Sequence, residues 1–559
     1  MNCWQKQHKI TADCSWQGLL TGGRVMNNWV VLLVIGALIF PAMVIAVQPP
    51  KWSAMNNYDQ AREKELMERA ADWRNGPVVY QIIVDRFVPS KKLDSKKALY
   101  SSPRRLRGWS ETPKQGKYLE RDGVWSHEVD FWGGDLASLK TKLDYLQELG
   151  IDVVYLNPVF ASLTNHKYDA WDYHKVDPVY GSRADLADLA KELHRRNLRL
   201  VLDGVFNHMG KRSPMFEEAR RNSRSRWHKF FKFDEKQPRG YIGWADVENL
   251  PELNLENPEV QKFIYSEPDS VVQSYLRNEG IDGWRLDVAF DLGFRYLTDL
   301  TRAVHAAKPG SLVIGEIWNY PEEWHPAVDG VMNMHGRKLL LTMLEGRLSG
   351  PLCSQMWETS IDDAGMNHIL KSWLVLDNHD TPRLANLLPE VWQQRMARAL
   401  QFTLPGAVCL YYGSELGMTG GDDPEQRAPM RWDLVSPENE MLELHRKLLD
   451  MRHKEPALRY GDFRRLHSEK LFAFIRRTIS VRDTVVVLAN PTAQPVKELL
   501  QLRESKFQDV SKICDLLSAA SFTVYSGTVD VELPAHSVMV LKVDTADYPN
   551  GYNRYDRIF

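Results

Sequence analysis

Gly280-Ile281-Asp282-Gly283-Trp284-Arg285-Leu286-Asp287-Val288-Ala289 is the stretch on which the reading of this chain turns. It reads as a helix end at Gly280 followed by a short buried strand, Trp284 to Val288, with two charged residues inside an apolar run. Strands buried on both faces are normally unbroken hydrophobic runs, so the charges need a reason. Residues two apart on a strand share a face, which sets Arg285 and Asp287 side by side at its C-terminal end. A buried structural ion pair is the bland explanation and a catalytic site the sharp one. The flanking segments decide between them.

Working outward, one unit recurs: a β-branched strand, a polar loop, an amphipathic helix. Strands are expected at Val78–Val84, Val153–Leu156, Arg199–Val205, Trp284–Val288, Leu312–Gly315, Gly330–Met334, Ser372–Leu376 and Ala407–Tyr411. Asp135 is a candidate N-cap for a helix carrying Leu136, Leu139, Leu143, Leu146 and Leu149 at helical spacing and stopping at Gly150. Further helices are expected at Ser182–Arg196, at Pro258–Asn278 with a break at Pro268, and at Glu438–Arg452. Eight strands alternating with helices are the α/β pattern of a (β/α)8 TIM barrel, here over residues 77–455. The aperiodic stretch of about 209–257 is too long for a βα loop and reads as a short inserted subdomain after strand 3.

Beyond Pro456 the period changes to two, with strands expected at Leu471–Arg476, Thr484–Leu488, Phe522–Tyr525, Val529–Leu533 and Val538–Val543. That predicts a C-terminal antiparallel β-sandwich over residues 456–543, followed by a tail, 544–559. Residues 51–76 read as a helical lead-in. Residues 1–50 hold an uninterrupted apolar run, Trp29–Val47, behind Lys6, Lys9 and Arg24, as in a signal peptide or membrane anchor. The expectation is export, periplasmic, secreted or anchored with the catalytic part outside the cytoplasm, with this segment engaging the membrane at least in transit.

Lys plus Arg number 71 and Asp plus Glu 73, so no charge excess favours nucleic acid as a partner. The five cysteines, Cys3, Cys14, Cys353, Cys409 and Cys514, have no metal-ligand spacing and suggest neither a zinc site nor a disulfide framework.

The ends of the strands, taken in order, carry Asp203, Asn207 and His208, then Arg285 and Asp287, then Glu316, then Asn378, His379 and Asp380. Each alone is an ordinary loop residue, but their convergence on one rim of one barrel is hard to explain structurally. Paired carboxylates are what glycosidic cleavage needs, one ionised to attack the sugar carbon and one protonated to serve the leaving oxygen. Arg285 is expected to keep Asp287 ionised. The apolar setting Gly315-Glu316-Ile317-Trp318 is expected to raise the Glu316 pKa and suit a general acid.

Four segments, Asp203-Gly-Val-Phe-Asn207-His208, Gly283-Trp-Arg285-Leu-Asp287-Val-Ala, Gly315-Glu316-Ile-Trp and Asn378-His379-Asp380-Thr-Pro-Arg383, resemble the signature regions of the alpha-amylase superfamily of glycoside hydrolases, in the family's order. Asp85-Arg86-Phe87, Asn165-His166-Lys167-Tyr168-Asp169 and Tyr412-Gly413-Ser414-Glu415 support it. The resemblance implies catalytic roles for Asp287 as nucleophile, Glu316 as acid/base and Asp380 as stabiliser of the transition state. It implies substrate contacts from Tyr168, His166, His208, Arg285, His379 and Arg383, and support from Asp203 and Asn207.

Leu250-Pro-Glu-Leu-Asn254 and Gly421-Asp-Asp-Pro-Glu-Gln-Arg427 resemble the neopullulanase and cyclomaltodextrinase group, whose N-terminal β-domain is not expected here because the barrel begins near Gly76. No cofactor is required by the resemblance. The family's calcium sequence after Asp-Arg-Phe is replaced by Val88-Pro89-Ser90-Lys91-Lys92, and calcium is left open only at Asn207. The expected function is an exported retaining hydrolase of maltodextrin and starch-type α-glucans. A transglycosylase or isomerase is the alternative, and a catalytically silent membrane-anchored partner protein a weaker one. Bond preference, endo or exo action and oligomeric state do not follow from the sequence.

Overall fold

Eight parallel strands close into a barrel: β1 Val78–Ile82, β2 Val153–Leu156, β3 Arg199–Gly204, β4 Gly283–Leu286, β5 Leu312–Ile317, β6 Gly330–Asn333, β7 Trp373–Val375 and β8 Ala407–Tyr411. Each pairs with its sequence neighbours, and β8 returns to β1. This computed structural model describes residues 57–546 together with 555 and 558. The expected export segment, residues 1–50, and most of the tail therefore lie outside the described residues.

The alternation of a strand sorts its side chains into two cores. Val79, Val153, Tyr155, Val201, Ile314 and Val375 fill the barrel interior, while Val78, Tyr80, Val154, Leu200, Leu202 and Trp284 pack against the helical shell. Two residues on from each interior position the chain reaches the C-terminal mouth. So Val79 leads to Gln81, Val201 to Asp203 and Ile314 to Glu316, all on the interior face. Arg285 is in register with Asp203 on one side and Ile314 on the other, which puts the guanidinium inside the barrel. Gly283 lets β4 and β5 approach, since a Cβ there would stand 2.2 Å from the Leu312 carbonyl oxygen.

Three local details differ from expectation. The leucine-rich helix is two, Leu136–Lys140 capped by Asp135 and Leu143–Leu149 closed by left-handed Gly150. The segment 258–279 breaks at 267–270 and widens into π-helical turns at Lys262–Ser266 and Tyr275–Glu279. Strand β4 stops at Leu286, two residues early, because Val288 takes φ 41°, ψ 45°. A β-branched residue in that region is strained, and the strain sits beside Asp287.

The insertion after β3 holds one α-helix of two turns, Pro214–Arg221, and two short 3-10 helices, Arg226–Phe230 and Trp244–Asp246, and folds back on the barrel. Leu253 N–H donates to the Asn207 carbonyl at 2.9 Å, and Glu252 bridges to His208. The helix Asn57–Ala71 precedes the barrel, and buried Arg69 ties it to Asp462 at 2.7 Å. The C-terminal strands are β9 Asp462–Arg465, β10 Phe472–Arg477, β11 Val485–Asn490, β12 Val496–Gln501, β13 Lys512–Asp515, β14 Ser521–Tyr525, β15 Thr528–Leu533 and β16 Ser537–Val543. They form one antiparallel sheet, ordered β9-β10-β11-β16-β13-β14-β15-β12, curled around its own core. The strands β9, β12 and β13 escape a pattern reading because lysine, arginine and glutamate interrupt their apolar positions.

Candidate active site

Arg285 is the hub. It is fully buried, and its Nη1 pairs with Asp203 Oδ1 at 2.8 Å and with Asp287 Oδ1 at 3.0 Å. Its Nη2 lies 3.0 Å from Glu316 Oε2. One guanidinium thus serves three carboxylates. Tyr155 Oη donates to Asp203 Oδ2 at 2.6 Å, which holds that carboxylate behind the other two. The strained Val288 contributes as well, since its N–H donates to Glu316 Oε2 at 3.0 Å. The Trp318 indole N–H reaches Glu316 Oε1 at 3.2 Å.

This arrangement corrects the expectation for Asp287. Burial, followed by the charge of Glu316, pushes its pKa well above the ordinary carboxylate range, and Arg285 only opposes that rise. Three buried carboxylates against one cation are over-supplied with negative charge, so the cluster retains a proton.

Across the mouth, Tyr168 and His379 form a parallel stack with ring centroids 5.5 Å apart. Tyr168 Oη donates to Asp203 Oδ2 at 2.9 Å and accepts from Asn157 Nδ2 at 3.0 Å. Gln81 Nε2 lies 2.9 Å from His379 Nδ1, which leaves Nε2 as the protonated nitrogen, 3.1 Å from Asp380 Oδ2. Burial and the charges of Arg427 and Arg285 depress the His379 pKa, so the ring is neutral and donates without bringing charge. His166 stacks on Tyr168 and lies 3.4 Å from Glu128.

His208 is buried, its pKa pushed down to about 3 by desolvation. Neither of its ring nitrogens has a hydrogen-bond partner among the described residues, nor do Asn207 Nδ2 and Asn378 Nδ2. Orphaned polar groups at a barrel mouth are the groups a polyhydroxylated ligand would satisfy. Trp244 stacks over His208 at 5.5 Å and donates its indole N–H to Asp291 Oδ2 at 2.9 Å.

Arg383 stands apart from the other expected substrate contacts. It is fully buried and donates Nε to the Gln426 carbonyl at 2.9 Å, beneath Tyr411 and Tyr412. Its place is behind the cleft wall, not in the cleft. Asn207 lines a cavity of about 530 Å³ with Lys232, Trp244, Ala245, Glu252 and Asp291. The Lys232 ammonium pairs with Glu252 at 3.0 Å, and the Asp291 carboxylate is engaged by Trp244. Calcium takes six to eight oxygen ligands, and this donor set, carrying its own cation, does not fit it. At the Val88–Lys92 loop, Lys96 likewise occupies Asp135 at 2.7 Å.

Several residues were not singled out by sequence reasoning. Arg427 donates Nε to the His379 carbonyl at 2.9 Å and approaches Asp380 Oδ1 at 3.5 Å. It is anchored by Asp423 at 2.9 Å, which faces His127 at 3.4 Å. The polar run Gly421–Arg427 was the available signal, but only the fold brings it against strand end β7. Gln81 and Tyr155 were hidden inside strand patterns, and Asn157 directly follows one. Arg427→Gln is expected to lower kcat on maltodextrin by about 10²-fold, as misplaced catalytic groups do. Unchanged kcat would remove Arg427 from the set that positions Asp380.

The chain is similar to known proteins over most of its length. The family model described as the catalytic domain of alpha amylase matches residues 81–488. A cyclomaltodextrinase of Geobacillus thermopakistaniensis is 30% identical over 85% of this chain and 78% of its own length. Neopullulanase 2 of Thermoactinomyces vulgaris is 31% identical over 78% of this chain and 72% of its own. Among solved structures, the cyclic alpha-maltosyl-(1→6)-maltose hydrolase of Arthrobacter globiformis superposes with a TM-score of 0.70 at 25% identity, covering 84% of this chain and 99% of that one. With the barrel, the carboxylate cluster and the matched span in place, the chain belongs to the alpha-amylase family of glycoside hydrolases, enzymes of α-glucosidic bonds.

Proposed function

We propose that this protein is an exported retaining hydrolase of maltodextrin-type α-glucans, working by double displacement. The observation that carries the reading is the pairing of Asp287 and Glu316 on a single buried guanidinium with Asp380 facing them. Glu316 gives its proton to the glycosidic oxygen as an Asp287 oxygen attacks the anomeric carbon; the C–O bond to the leaving chain breaks and a glycosyl ester forms. Glu316, now ionised, takes a proton from water, whose oxygen displaces Asp287 and releases the sugar with its original anomeric configuration. Asp380, aligned by His379 and Arg427, holds the hydroxyls of the reacting sugar as charge develops at its ring. Tyr168 stacks beneath that sugar with His166 beside it, and the neutral His208 and His379 supply uncharged hydrogen bonds. Asp203 and Arg285 orient the pair. Arg383 acts on the wall, not on the substrate.

The named substrates of the relatives, cyclomaltodextrins and pullulan, support an α-glucan. Purified protein incubated with maltotriose, pullulan and cyclodextrin, with products resolved by chromatography and anomeric form, tests the reading. Shorter maltodextrins of retained α configuration are expected, and an inverted product would overturn double displacement. Longer oligosaccharides or trehalose would instead show a sugar acceptor, the transferase or isomerase alternative. The complete carboxylate set weighs against a catalytically silent partner protein.

The reaction is proposed to need no cofactor, and the Asn207 cavity to hold no calcium, since Lys232 already supplies its cation. Treatment with EDTA is expected to leave both activity and melting temperature unchanged. A drop of several degrees restored by calcium would reverse this. Export is proposed from the apolar run 29–47 and its basic flank. No helix among the described residues is long and apolar enough to cross a membrane. Cell fractionation with N-terminal sequencing of the mature chain tests this, and a cytoplasmic product starting at Met1 would refute it.

A further inference from the structure

We propose that Lys167 is a positioning residue whose buried ion pair with Asp177 holds His166 and Tyr168 against the reacting sugar; this deepens the proposed function and rests on it. Along Asn165-His166-Lys167-Tyr168-Asp169 burial alternates. Asn165, Lys167 and Asp169 are 5%, 0% and 1% exposed, while His166 and Tyr168 stay partly exposed and stack on each other at the mouth. Each buried residue is tied to a different neighbour. Asn165 Nδ2 donates to the carbonyls of His127 at 2.8 Å and Asp130 at 2.9 Å. Asp169 accepts from Asn249 of the insertion at 3.1 Å and from the Leu163 N–H at 3.2 Å. Lys167 sets a cation between these two anchors.

The Lys167 ammonium donates to Asp177 Oδ2 at 2.8 Å and to the Thr164 carbonyl at 3.0 Å. It also stands over the rings of Phe131 and Tyr180, at 4.8 Å and 4.9 Å. Asp177 follows the strand Ala170–Val176 and is fully buried as well. Its Oδ2 receives Arg104 Nη2 at 3.0 Å, and its Oδ1 the Val179 N–H at 3.1 Å. Burial lowers the Lys167 pKa against the pull of Asp177. At Asp177 burial acts upward, but Lys167 and Arg104 outweigh it and hold the carboxyl below its ordinary range. Burying an ammonium is costly even when it is paired. Arg104 already gives Asp177 a counter-ion, so charge balance alone does not call for Lys167. What Lys167 adds is its second bond, to Thr164, which closes its own loop from the inside.

The backbone points the same way. Lys167 takes φ 69°, a left-handed angle that glycine or asparagine meets at lower cost. That turn brings the rings of His166 and Tyr168 to 5.7 Å and 27° of one another, and the Tyr168 N–H donates to His166 Nδ1 at 3.1 Å. The far face of Tyr168 is the one stacked with His379. A loosened loop would therefore shift both sugar-facing rings, whereas Arg285 and Glu316 sit on strands of their own, β4 and β5. The effect belongs to binding more than to bond cleavage.

Kinetics on maltotriose, taken with melting temperatures, test this. Lys167→Met keeps the length of the side chain and loses its charge; Lys167→Asn suits the backbone angle and cannot reach Asp177. Both are expected to raise KM about tenfold, the loss of roughly one aromatic contact to the sugar, with kcat changed by less than about threefold. Affinity for maltotriose, read by calorimetry in a Glu316→Gln background, should fall by the same factor. Asp177→Asn is the milder change, since it keeps the shape of the side chain. It should give the same split with Lys167 in place, and it decides the matter if the Lys167 variants do not fold. An unmoved KM in Lys167→Asn would show that the backbone angle alone mattered, and would overturn the proposal. So would a lowered melting temperature with KM unmoved, which makes the pair merely structural, or a loss confined to kcat. A wild-type protein that binds maltotriose without cleaving it defeats the functional reading, while calorimetry still decides the role of Lys167. One that neither binds nor cleaves it overturns both.

Discussion

Asp287→Asn is expected to lower kcat/KM on maltodextrin by about 10⁴-fold or more, since it removes the proposed nucleophile while leaving the cleft intact. The same substitution should raise the melting temperature at neutral pH. A carboxyl whose folded pKa is raised favours its protonated form in the folded state. It therefore costs stability above the unfolded pKa, increasingly so as pH rises toward the folded value. Burial and Glu316 raise Asp287 in this way, so the amide removes a penalty present at pH 7 and absent near pH 4. Reducing-sugar assays and thermal melts across that range measure both effects. Retained activity would sink the assignment of the nucleophile. A melting temperature that falls at pH 7 would sink the electrostatic account of Asp287.

Arg285→Leu is expected to be the most damaging single change to stability, about 3–5 kcal/mol, because it strips from three buried carboxylates the guanidinium they share. Activity should be lost with it. The destabilisation should shrink as pH falls from 7 toward the ordinary carboxylate range, where the stranded groups can protonate. Urea unfolding at pH 7 and pH 5 reads this directly. Combining Arg285→Leu with Asp203→Asn should recover part of the loss, a non-additivity expected of residues in one network. Equal destabilisation at both pH values, with strict additivity, would show that Arg285 acts through packing. Arg285→Lys should not rescue activity, since an ammonium cannot span the carboxylates as the planar fork does.

Much of the barrel was legible because its signal is local. A buried parallel strand is a short apolar run, and the runs at Val153–Leu156 and Ala407–Tyr411 coincide with β2 and β8. The C-terminal sheet was read only in part. Edge and twisted strands such as β12, VKELLQ, satisfy their polar side chains in solvent and lose the clean alternation. The helical segment 258–279 was placed correctly but not its π-turns, Lys262–Ser266 and Tyr275–Glu279, which leave no mark on the apolar spacing.

The chemistry divides in the same way. The identities of Asp203, Asp287, Glu316 and Asp380 were visible as charged residues at the ends of apolar strands. Their number, order and common rim followed from the strand count alone. Arg383 shows the limit: it shares a motif with Asp380, yet three residues of loop turn it into the wall. Arg427 shows the converse, because the loop after β8 crosses to β7 and delivers it to Asp380.

The sequence by itself determined the barrel, the strand that carries Arg285 and Asp287, and the set of carboxylates, because periodicity and burial are properties of neighbouring residues. Only the tertiary structure decided the protonation balance. Whether Asp287 is held charged depends on Glu316 across a strand boundary, on Asp203 in register beside Arg285, and on the water excluded around all three. Those are distances and dielectric, set when the strands close into a ring.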